Sequence, residues 1–555
     1  MAYLKNIKEN YIKLFICLLA IISFFSTINI LPPLDRDEAR YIQSTVQMIE
    51  SGDFFNINFL DNPRLKKPPG IYWLQAFSSV SVKNLFLLEK PPLWSFRLPS
   101  AIAASLSILL VYLLGNIIFG RLQGIIAALL FLSVPIVIIE ANIAKTDSVL
   151  SCITLAIIYL LAKVIFFKNN EKNLSSLYIY LGWLLLGFSF LIKGPITFII
   201  IFLLLMSFKI IERDFVLSSI KPIYGLILFT IICAPWFIFI FTGNNADYMI
   251  GDIKKDFLEK IYSVQESHGA PPGAYIISLF ISAWPLAIFL LPTVVWSYLN
   301  RKEKSIKFLL CYILPSWIVF ELIPTKLLHY LLPLIPGLTL LTAAMIVESI
   351  KNNNFLMEFN KRILNIYTFF PIIGIGTIII VIGYLGIEFG IGFSKEVILI
   401  ILIFLLIGIF AIYNFYYLNY LRAFFIASIG TILAINLFML FVPNQTQKIW
   451  ISERIYEEIE NKNLNHSSIL FGYSEPSLIY RLGSKTKIAG NIIDVINFIK
   501  NHKVDYIIIE NQYLDEFKIL SKENNINFKN ISKSISGFNY SKGKNVEIYI
   551  ISLIL

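Results

Sequence analysis

Two short stretches gather the acids and bases of a chain that is otherwise mostly apolar. The first is Leu34-Asp35-Arg36-Asp37-Glu38-Ala39-Arg40-Tyr41, and the second is Lys66-Lys67-Pro68-Pro69-Gly70-Ile71-Tyr72-Trp73. A carboxylate here can take a proton from a hydroxyl or bind a metal. It can equally be a helix N-cap, with Asp37 as the cap and Glu38 on a solvated face. The two prolines stiffen the second stretch and hold the preceding lysines extended. Lys66 and Lys67 then either anchor the chain to lipid headgroups or hold a bound phosphate as point charges. Tyr72 and Trp73 suit a membrane interface.

Further polar groups punctuate the apolar sequence. Asp147 lies in Ala144-Lys145-Thr146-Asp147-Ser148, and Lys193 in the turn Lys193-Gly194-Pro195. His268 ends a segment containing Asp247, Asp252, Asp256, Glu259 and Glu266. A histidine among acids can ligate a divalent metal, but no close His/Cys spacing points to a zinc site. Lys326-Leu327-Leu328-His329-Tyr330 places His329 at a helix end or on a site wall. The sequence has no P-loop, no G-x-G-x-x-G and no G-x-S-x-G, so nothing announces a nucleotide-binding loop or a serine-hydrolase elbow.

These groups need elements to position them, and composition names the kind. Of 555 residues, 57% are hydrophobic and 15% charged, and the mean hydropathy is +0.72. Apolar runs of roughly 18–22 residues recur along the chain, the length that crosses a bilayer as helix. They fall near 14–31, 99–118, 124–141, 148–166, 177–192, 196–211, 222–242, 275–297, 308–323, 329–349, 364–386, 396–417 and 423–442. The expected fold is a polytopic α-helical membrane protein with about 13 transmembrane helices, about the number of such runs. The N-terminal apolar segment reads as a retained helix, because no small-residue cleavage site is evident. The four cysteines all lie in apolar runs and imply no disulfide framework.

The net charge of +11 could suggest nucleic acid, but the basic residues sit in short loops between apolar runs. That is the positive-inside pattern of a membrane protein, and no nucleic-acid partner is expected. With the N-terminus cytoplasmic, Arg121, Lys168, Arg213, Arg301, Lys351 and Arg422 fall inside. The groups with chemistry (Asp37, Glu38, Lys66, Lys67, Asp147, Lys193, His268, Lys326 and His329) then all fall outside, which predicts one extracytoplasmic site. The expected domains are a transmembrane domain over 1–443, with a chemistry-bearing outer loop at 32–98, and a soluble α/β domain over 444–555 on the same outer side. In the latter, Ser468–Phe471, Val504–Glu510 and Val546–Leu553 read as strands. Glu475–Arg481, Ile492–Lys500 and Tyr513–Glu523 read as helices, and Lys533–Lys544 as a polar loop turning at Gly537 and Gly543.

Taken together and in order, the motifs resemble a family. Arg36-Asp37-Glu38-Ala39-Arg40-Tyr41, Ser51-Gly52-Asp53, Lys67-Pro68-Pro69 with Tyr72-Trp73, Lys145-Thr146-Asp147 and Leu191-Ile192-Lys193-Gly194-Pro195 are followed by Ala234-Pro235-Trp236. Then come His268 to Pro272, Trp284-Pro285, Lys326-Leu327-Leu328-His329-Tyr330-Leu331-Leu332-Pro333 and Gly537-Phe538-Asn539-Tyr540. The set resembles the bacterial GT-C membrane glycosyltransferases, in the branch of lipid A aminoarabinose transferase and the dolichyl-phosphate-mannose protein mannosyltransferase-like proteins.

The resemblance implies a polyprenyl-phosphate-linked sugar as donor and a lipid or glycan acceptor, with the reaction at the periplasmic face of the bacterial inner membrane. It implies Asp37 as catalytic carboxylate, Asp147 as a second acid of the site, and Lys67 and Lys193 on the lipid phosphate. Tyr330 would line that pocket, Arg40 would assist, and Glu38 would sit with the substrate-binding groups. Two departures stand out. An acid commonly precedes the lysine of the Lys-Pro-Pro motif, where this chain has Lys66, and Ala270-Pro271-Pro272-Gly273 replaces an arginine after the loop histidine. The first removes a partner from His268 as a metal ligand, so no cofactor beyond a divalent metal there is implied. Within this reading the acceptor is lipid A, another envelope glycan or a protein hydroxyl. The competing classes are a lipid or solute transporter and a membrane scaffold presenting the C-terminal domain. A transporter would place its charges near the bilayer midplane and often carry repeats.

Overall fold

Each apolar run falls on helix, but the helices are less uniform than the runs. The structure, a computed structural model, describes residues 8–166, 172–213, 215, 217–243, 246–253, 269–351, 361–390, 392–462, 467–501, 504–531 and 533–553. Among the described residues nine helices are long and apolar enough to cross a membrane, from Leu93–Ile118 to Tyr420–Gln445. A tenth span is counted if Arg121–Leu132 and Pro135–Ala141, bent by 66°, are one. The break falls before Pro135, which lacks an N–H and disfavours helix in the residue ahead of it. The expected 13 is not reached by length: Ile196–Ile211 and Leu290–Leu299 are short, and Glu9–Phe25 has 17 residues. The run expected over 275–297 is divided into Ala274–Ser282, Trp284–Ala287 and Leu290–Leu299, with Pro285 at the start of the middle piece. The chain is a multi-pass membrane protein by these helices.

The stretch after the first helix is tied down by one buried ion pair. Helix Asp37–Ser51 begins at Asp37 with no side-chain cap, so the capping role considered for Asp37 is not the one it plays. Glu38 instead turns into the bundle. Its Oε1 and Oε2 accept from Arg97 Nε at 2.8 Å and Nη2 at 3.0 Å, and both side chains are 0% exposed. The remaining guanidinium protons reach the carbonyls of Ile28, Leu31 and Pro32 at 2.9, 2.7 and 3.0 Å. Glu38 also accepts from the backbone N–H of Leu34 at 2.9 Å and of Ala144 at 2.8 Å. A buried charge is tolerable only when paired and hydrogen-bonded, and here it is.

The C-terminal segment folds on a mixed six-stranded sheet. A two-residue hairpin in the first loop supplies β1 (Asn58–Phe59) and β2 (Asn62–Pro63). The sheet consists of β3 (Ser468–Phe471), β4 (Lys487–Ile488), β5 (Tyr506–Glu510), β6 (Phe528–Asn530), β7 (Ile535–Asn539) and β8 (Lys544–Leu553). Its order is β4-β3-β5-β8-β6, with β7 also paired to β8. β3 is parallel to β4 and β5, and β8 is antiparallel to its neighbours. Both faces are covered: Leu470 and Ile508 pack on helix Ile451–Asn461, while Ile469, Ile507 and Ile509 pack on helices Ile492–Asn501 and Leu514–Glu523. That two-sided burial is why these strands read as continuous apolar runs.

The three expected strands and three expected helices of this segment are present. Lys533–Lys544 is a correction: Ile535–Asn539 is a strand paired with β8, and only the turn after it is loop. Its short, polar, Gly-containing sequence hides the strand. Gly537 lies inside it because a Cβ there would come within 2.6 Å of Ile451 and the Lys448 carbonyl. Phe59 and Leu60 from the first loop pack on the sheet's core, and Phe389 meets Phe538 at 4.9 Å between ring centres.

Removing one partner of the Glu38–Arg97 pair strands the other in the core. Arg97→Met should therefore cost about 3–5 kcal/mol of stability, seen as a large drop in melting temperature in detergent. An unchanged melting temperature would show that the pair does not hold this region together.

Candidate functional site

Chain ends of several helices meet where Asp147 opens helix Asp147–Phe166 and Lys193 closes helix Lys172–Lys193. Lys193 Nζ donates to Asp147 Oδ1 at 2.5 Å, and the two side chains are 9% and 7% exposed. Lys145 Nζ donates to Glu140 Oε1 at 3.0 Å. His329 stands between the two acids, Nδ1 3.8 Å from Glu140 Oε1 and Nε2 3.9 Å from Asp147 Oδ1. Tyr330 completes the wall: its ring centre is 5.3 Å from Lys193 Nζ and 5.1 Å from the His329 ring. Burial alone would pull the Lys145 ammonium down, but Glu140, Asp147 and Asp37 outweigh it and hold Lys145 above its ordinary value. The second oxygen of Glu140 is buried without a hydrogen-bond partner among the described residues, so the cluster retains an acceptor.

Lys67 and Lys193, 126 positions apart by their numbers, line one cavity of about 250 Å³. Lys66, Pro195, Trp236 and Asp252 share its wall. Two glycines make the approach possible. Gly194 turns the hairpin at φ +70°, in the left-handed region that suits glycine. Gly70 starts helix Gly70–Leu85 directly against the C-terminal end of helix Lys172–Lys193, where a Cβ would stand 2.8 Å from the Leu191 carbonyl oxygen. The Lys67-Pro68-Pro69-Gly70 motif is thus a docking turn that sets Lys67 beside the Lys193 hairpin. Asp252 fixes the turn from the other side, its Oδ2 accepting from the Leu65 N–H at 2.9 Å.

Asp37 sits at the exposed start of its helix. Its charge bears on Lys145, Arg64 and His329. Arg64 stands 5.8 Å over the Tyr41 ring. Arg40 follows Asp37 by three positions and so shares its side of the helix. Asp35, two residues before Asp37, is pushed up to about 6, mainly by burial and secondarily by Glu475, against the pull of its Ser477 and Tyr540 hydrogen bonds.

The residues expected at the site therefore divide. Asp147, Lys193, Tyr330 and Lys67 come together, and the charge of Asp37 bears on Lys145 and His329 of the same cluster. Glu38 does not join them: Arg97 occupies its carboxylate. Lys326 also stays out, donating to the carbonyls of Ala270, Glu321 and Ile323. His268, the expected metal ligand, lies outside the described residues. Among the described residues no three His, Cys, Asp or Glu side chains are grouped to hold a metal ion. Sequence reasoning missed Glu140 and Arg64 as partners. Glu140 was findable as a lone carboxylate in an apolar run, a position where charge implies a partner or a function.

With this geometry in view, comparison with known proteins is informative. Residues 66–239 match the family described as dolichyl-phosphate-mannose-protein mannosyltransferase, a stretch holding Lys67, Asp147 and Lys193. The undecaprenyl phosphate-alpha-4-amino-4-deoxy-L-arabinose arabinosyl transferase of Pseudomonas aeruginosa (strain LESB58) is 24% identical over 336 residues, 60% of this chain and 58% of its own length. Its Proteus mirabilis (strain HI4320) counterpart is 23% identical over 337 residues, 58% of each chain. The chain thus spans less than two thirds of the curated relatives it matches. The crystal structure of ArnT from Cupriavidus metallidurans superposes with a TM-score of 0.73 over 97% of both chains, at 14% identity. The chain shares that fold. The same protein bound to undecaprenyl phosphate superposes equally well. The Archaeoglobus fulgidus oligosaccharyltransferase superposes at 0.53 over 92% of this chain and 71% of its own, with 11% identity. The resemblance read from the motifs holds in all three comparisons.

Asp35 gives this region a pH dependence of definite sign. Its carboxyl titrates near 6 when folded and near 4 when unfolded. The buried carboxylate therefore costs stability fully above pH 6, and the cost is relieved as pH falls from about 6 toward about 4. Between pH 7 and 5 the protein should gain about 1 kcal/mol relative to Asp35→Asn, read from melting curves of both at each pH. Parallel pH profiles for the two proteins would refute the assignment.

Proposed function

We propose that the protein is a glycosyltransferase of the bacterial inner membrane that moves a sugar from a polyprenyl-phosphate donor to an envelope acceptor, lipid A or another glycolipid. The observation that carries this is the single cavity lined by Lys67 and Lys193 beside the Asp147 cluster. Two cations at a cleft near the ends of apolar helices suit a phosphate whose lipid tail remains in the membrane. The match to relatives named for undecaprenyl phosphate sugar transfer supports the same chemistry. In this reading the chain crosses the membrane about 13 times, counting the short and bent helices, with its N-terminus cytoplasmic. The site and the domain over 444–555 face the periplasm, and 1–443 forms the transmembrane domain.

In this reading Asp37, exposed at the start of its helix, takes the proton of the acceptor hydroxyl as its oxygen bonds to the anomeric carbon. The bond from that carbon to the phosphate oxygen breaks, and the negative charge gathers on the polyprenyl phosphate. Lys67 and Lys193 stabilise that charge in a site of low dielectric. Asp147 holds Lys193, with Tyr330 against it. Attack opposite the leaving group inverts the anomeric centre, by the logic of single-displacement glycosyl transfer. His268 is the residue available for a divalent metal, and no step depends on one. A second reading, with a protein hydroxyl as acceptor, is favoured by the description of the matching family.

The test is transfer by the purified full chain in detergent, from labelled polyprenyl-phosphate sugars into a total envelope-lipid extract or added peptide. Asp37→Asn should lower transfer at least about 100-fold while donor binding persists. Lys193→Ala should lower kcat/KM by about 100-fold. Transfer that survives Asp37→Asn removes that residue as base. The absence of transfer from any donor, with lipid flipping in proteoliposomes instead, removes the enzyme reading.

A further inference from the structure

Three positions around Asp37 are held in different ways. Glu38 is locked into the bundle by Arg97. Asp35 is locked to the C-terminal domain: its N–H donates to Tyr540 Oη at 2.6 Å, and its Oδ1 accepts from the Ser477 N–H at 3.0 Å. Between them Arg36 takes φ 68° and ψ −101°, a left-handed conformation uncommon for a side chain of its size. Its guanidinium Nη2 donates to the Ser541 carbonyl. Asp37 is the next residue, so its direction depends on how Arg36 is held.

The parts that do the holding are themselves built firmly. Tyr540 and Ser541 form the turn after β7. There Asn539 Nδ2 donates to Glu475 Oε1 at 2.8 Å and Ser541 Oγ donates to Glu475 Oε2 at 2.8 Å. Asn539 Oδ1 accepts from the N–H groups of Ser541 and Lys542 at 3.0 and 3.2 Å. Glu475 is 4% exposed, so a buried carboxylate organises the turn. Ser477 Oγ donates to Ser452 Oγ at 2.6 Å, which meets Tyr473 Oη at 3.0 Å. A strained conformation persists where its surroundings over-determine it, and such residues gather at functional sites.

We propose that the β7–β8 turn and the start of helix Pro476–Leu482 form a positioning clamp for Asp37, with Asp35, Arg36 and Tyr540 as its positioning residues. This rests on the reading of Asp37 as the base. The clamp touches neither donor nor acceptor. Releasing it lets Arg36 relax and turns the Asp37 carboxylate away from the acceptor hydroxyl, while the lysine cavity for the phosphate is untouched. The soluble domain is then part of the catalytic apparatus without contributing a reacting group.

The test compares the full-length protein with Tyr540→Phe, which deletes the acceptor of the Asp35 N–H, and with Arg36→Gly. The glycine accepts the left-handed φ but cuts the tether to Ser541. Each variant should lower kcat about tenfold with KM for the polyprenyl-phosphate sugar unchanged, and with the melting temperature of the native protein. An unchanged kcat overturns the clamp. So does a rise in KM that accounts for the loss, or a loss that follows a lowered melting temperature and vanishes on cooling. Asp37→Asn run alongside separates the two levels. An active Asp37→Asn rejects the base whatever Tyr540→Phe does. An inactive Asp37→Asn with a fully active Tyr540→Phe rejects the clamp alone.

Discussion

One fully buried ion pair decides where the first loop can go. Arg97 offers its guanidinium to Glu38 and to three carbonyls at the end of the first helix, and Glu38 answers with the N–H groups of Leu34 and Ala144. Four separate pieces of chain converge on two side chains. A pair of this kind adds little net stability over an apolar core, because desolvation offsets the attraction. What it imposes is a fixed geometry, since half of it cannot exist alone. Helix Asp37–Ser51, the Ala144 turn and the Leu93–Ile118 span are therefore held in register, and the charged cluster at Asp147 inherits that register.

The second consequence is electrostatic. Glu140, Lys145, Asp147, Lys193 and His329 interleave two acids and two lysines with one imidazole. Charge of either sign entering the cluster meets a partner already in place and needs little reorganisation, the condition under which fixed charges stabilise a developing one most. Within it Lys193 is held by Asp147 while it lines the cavity it shares with Lys67.

How much of this was legible in the sequence varied with the kind of force involved. The helices were legible because apolar runs of bilayer length have few other uses. The breaks at Pro135 and Pro285 were not located, because a run of apolar residues does not record where its helix bends. Strands β3 and β5 were legible as apolar runs, whereas β7 was hidden, since its serines and glycine carry no periodic signal and its pairing is decided by β8 and Ile451. At the site, Asp37, Lys67, Asp147, Lys193 and Tyr330 were visible as polar residues in an apolar chain. The inward turn of Glu38 was not, because Asp37 and Glu38 are neighbours of the same chemistry and only the distant Arg97 distinguishes them. Glu140 was overlooked although a lone carboxylate in an apolar run implies a partner, here Lys145 five positions on; Arg64 was overlooked because nothing in its own stretch marks its place over the Tyr41 ring.

The contact between Asp35 and Tyr540 joins residues 505 positions apart. Tyr540 must therefore be synthesised before the loop at Asp35 can take its final form. Contacts of such long range close late, after the entropy of the intervening loop has been overcome. During synthesis the helices are threaded into the membrane and the Glu38–Arg97 pair can already form, yet the Ser541 carbonyl to which Arg36 donates has still to be made. A chain interrupted before β7 carries every charged group of the cluster but lacks the contact that sets the loop at Asp35.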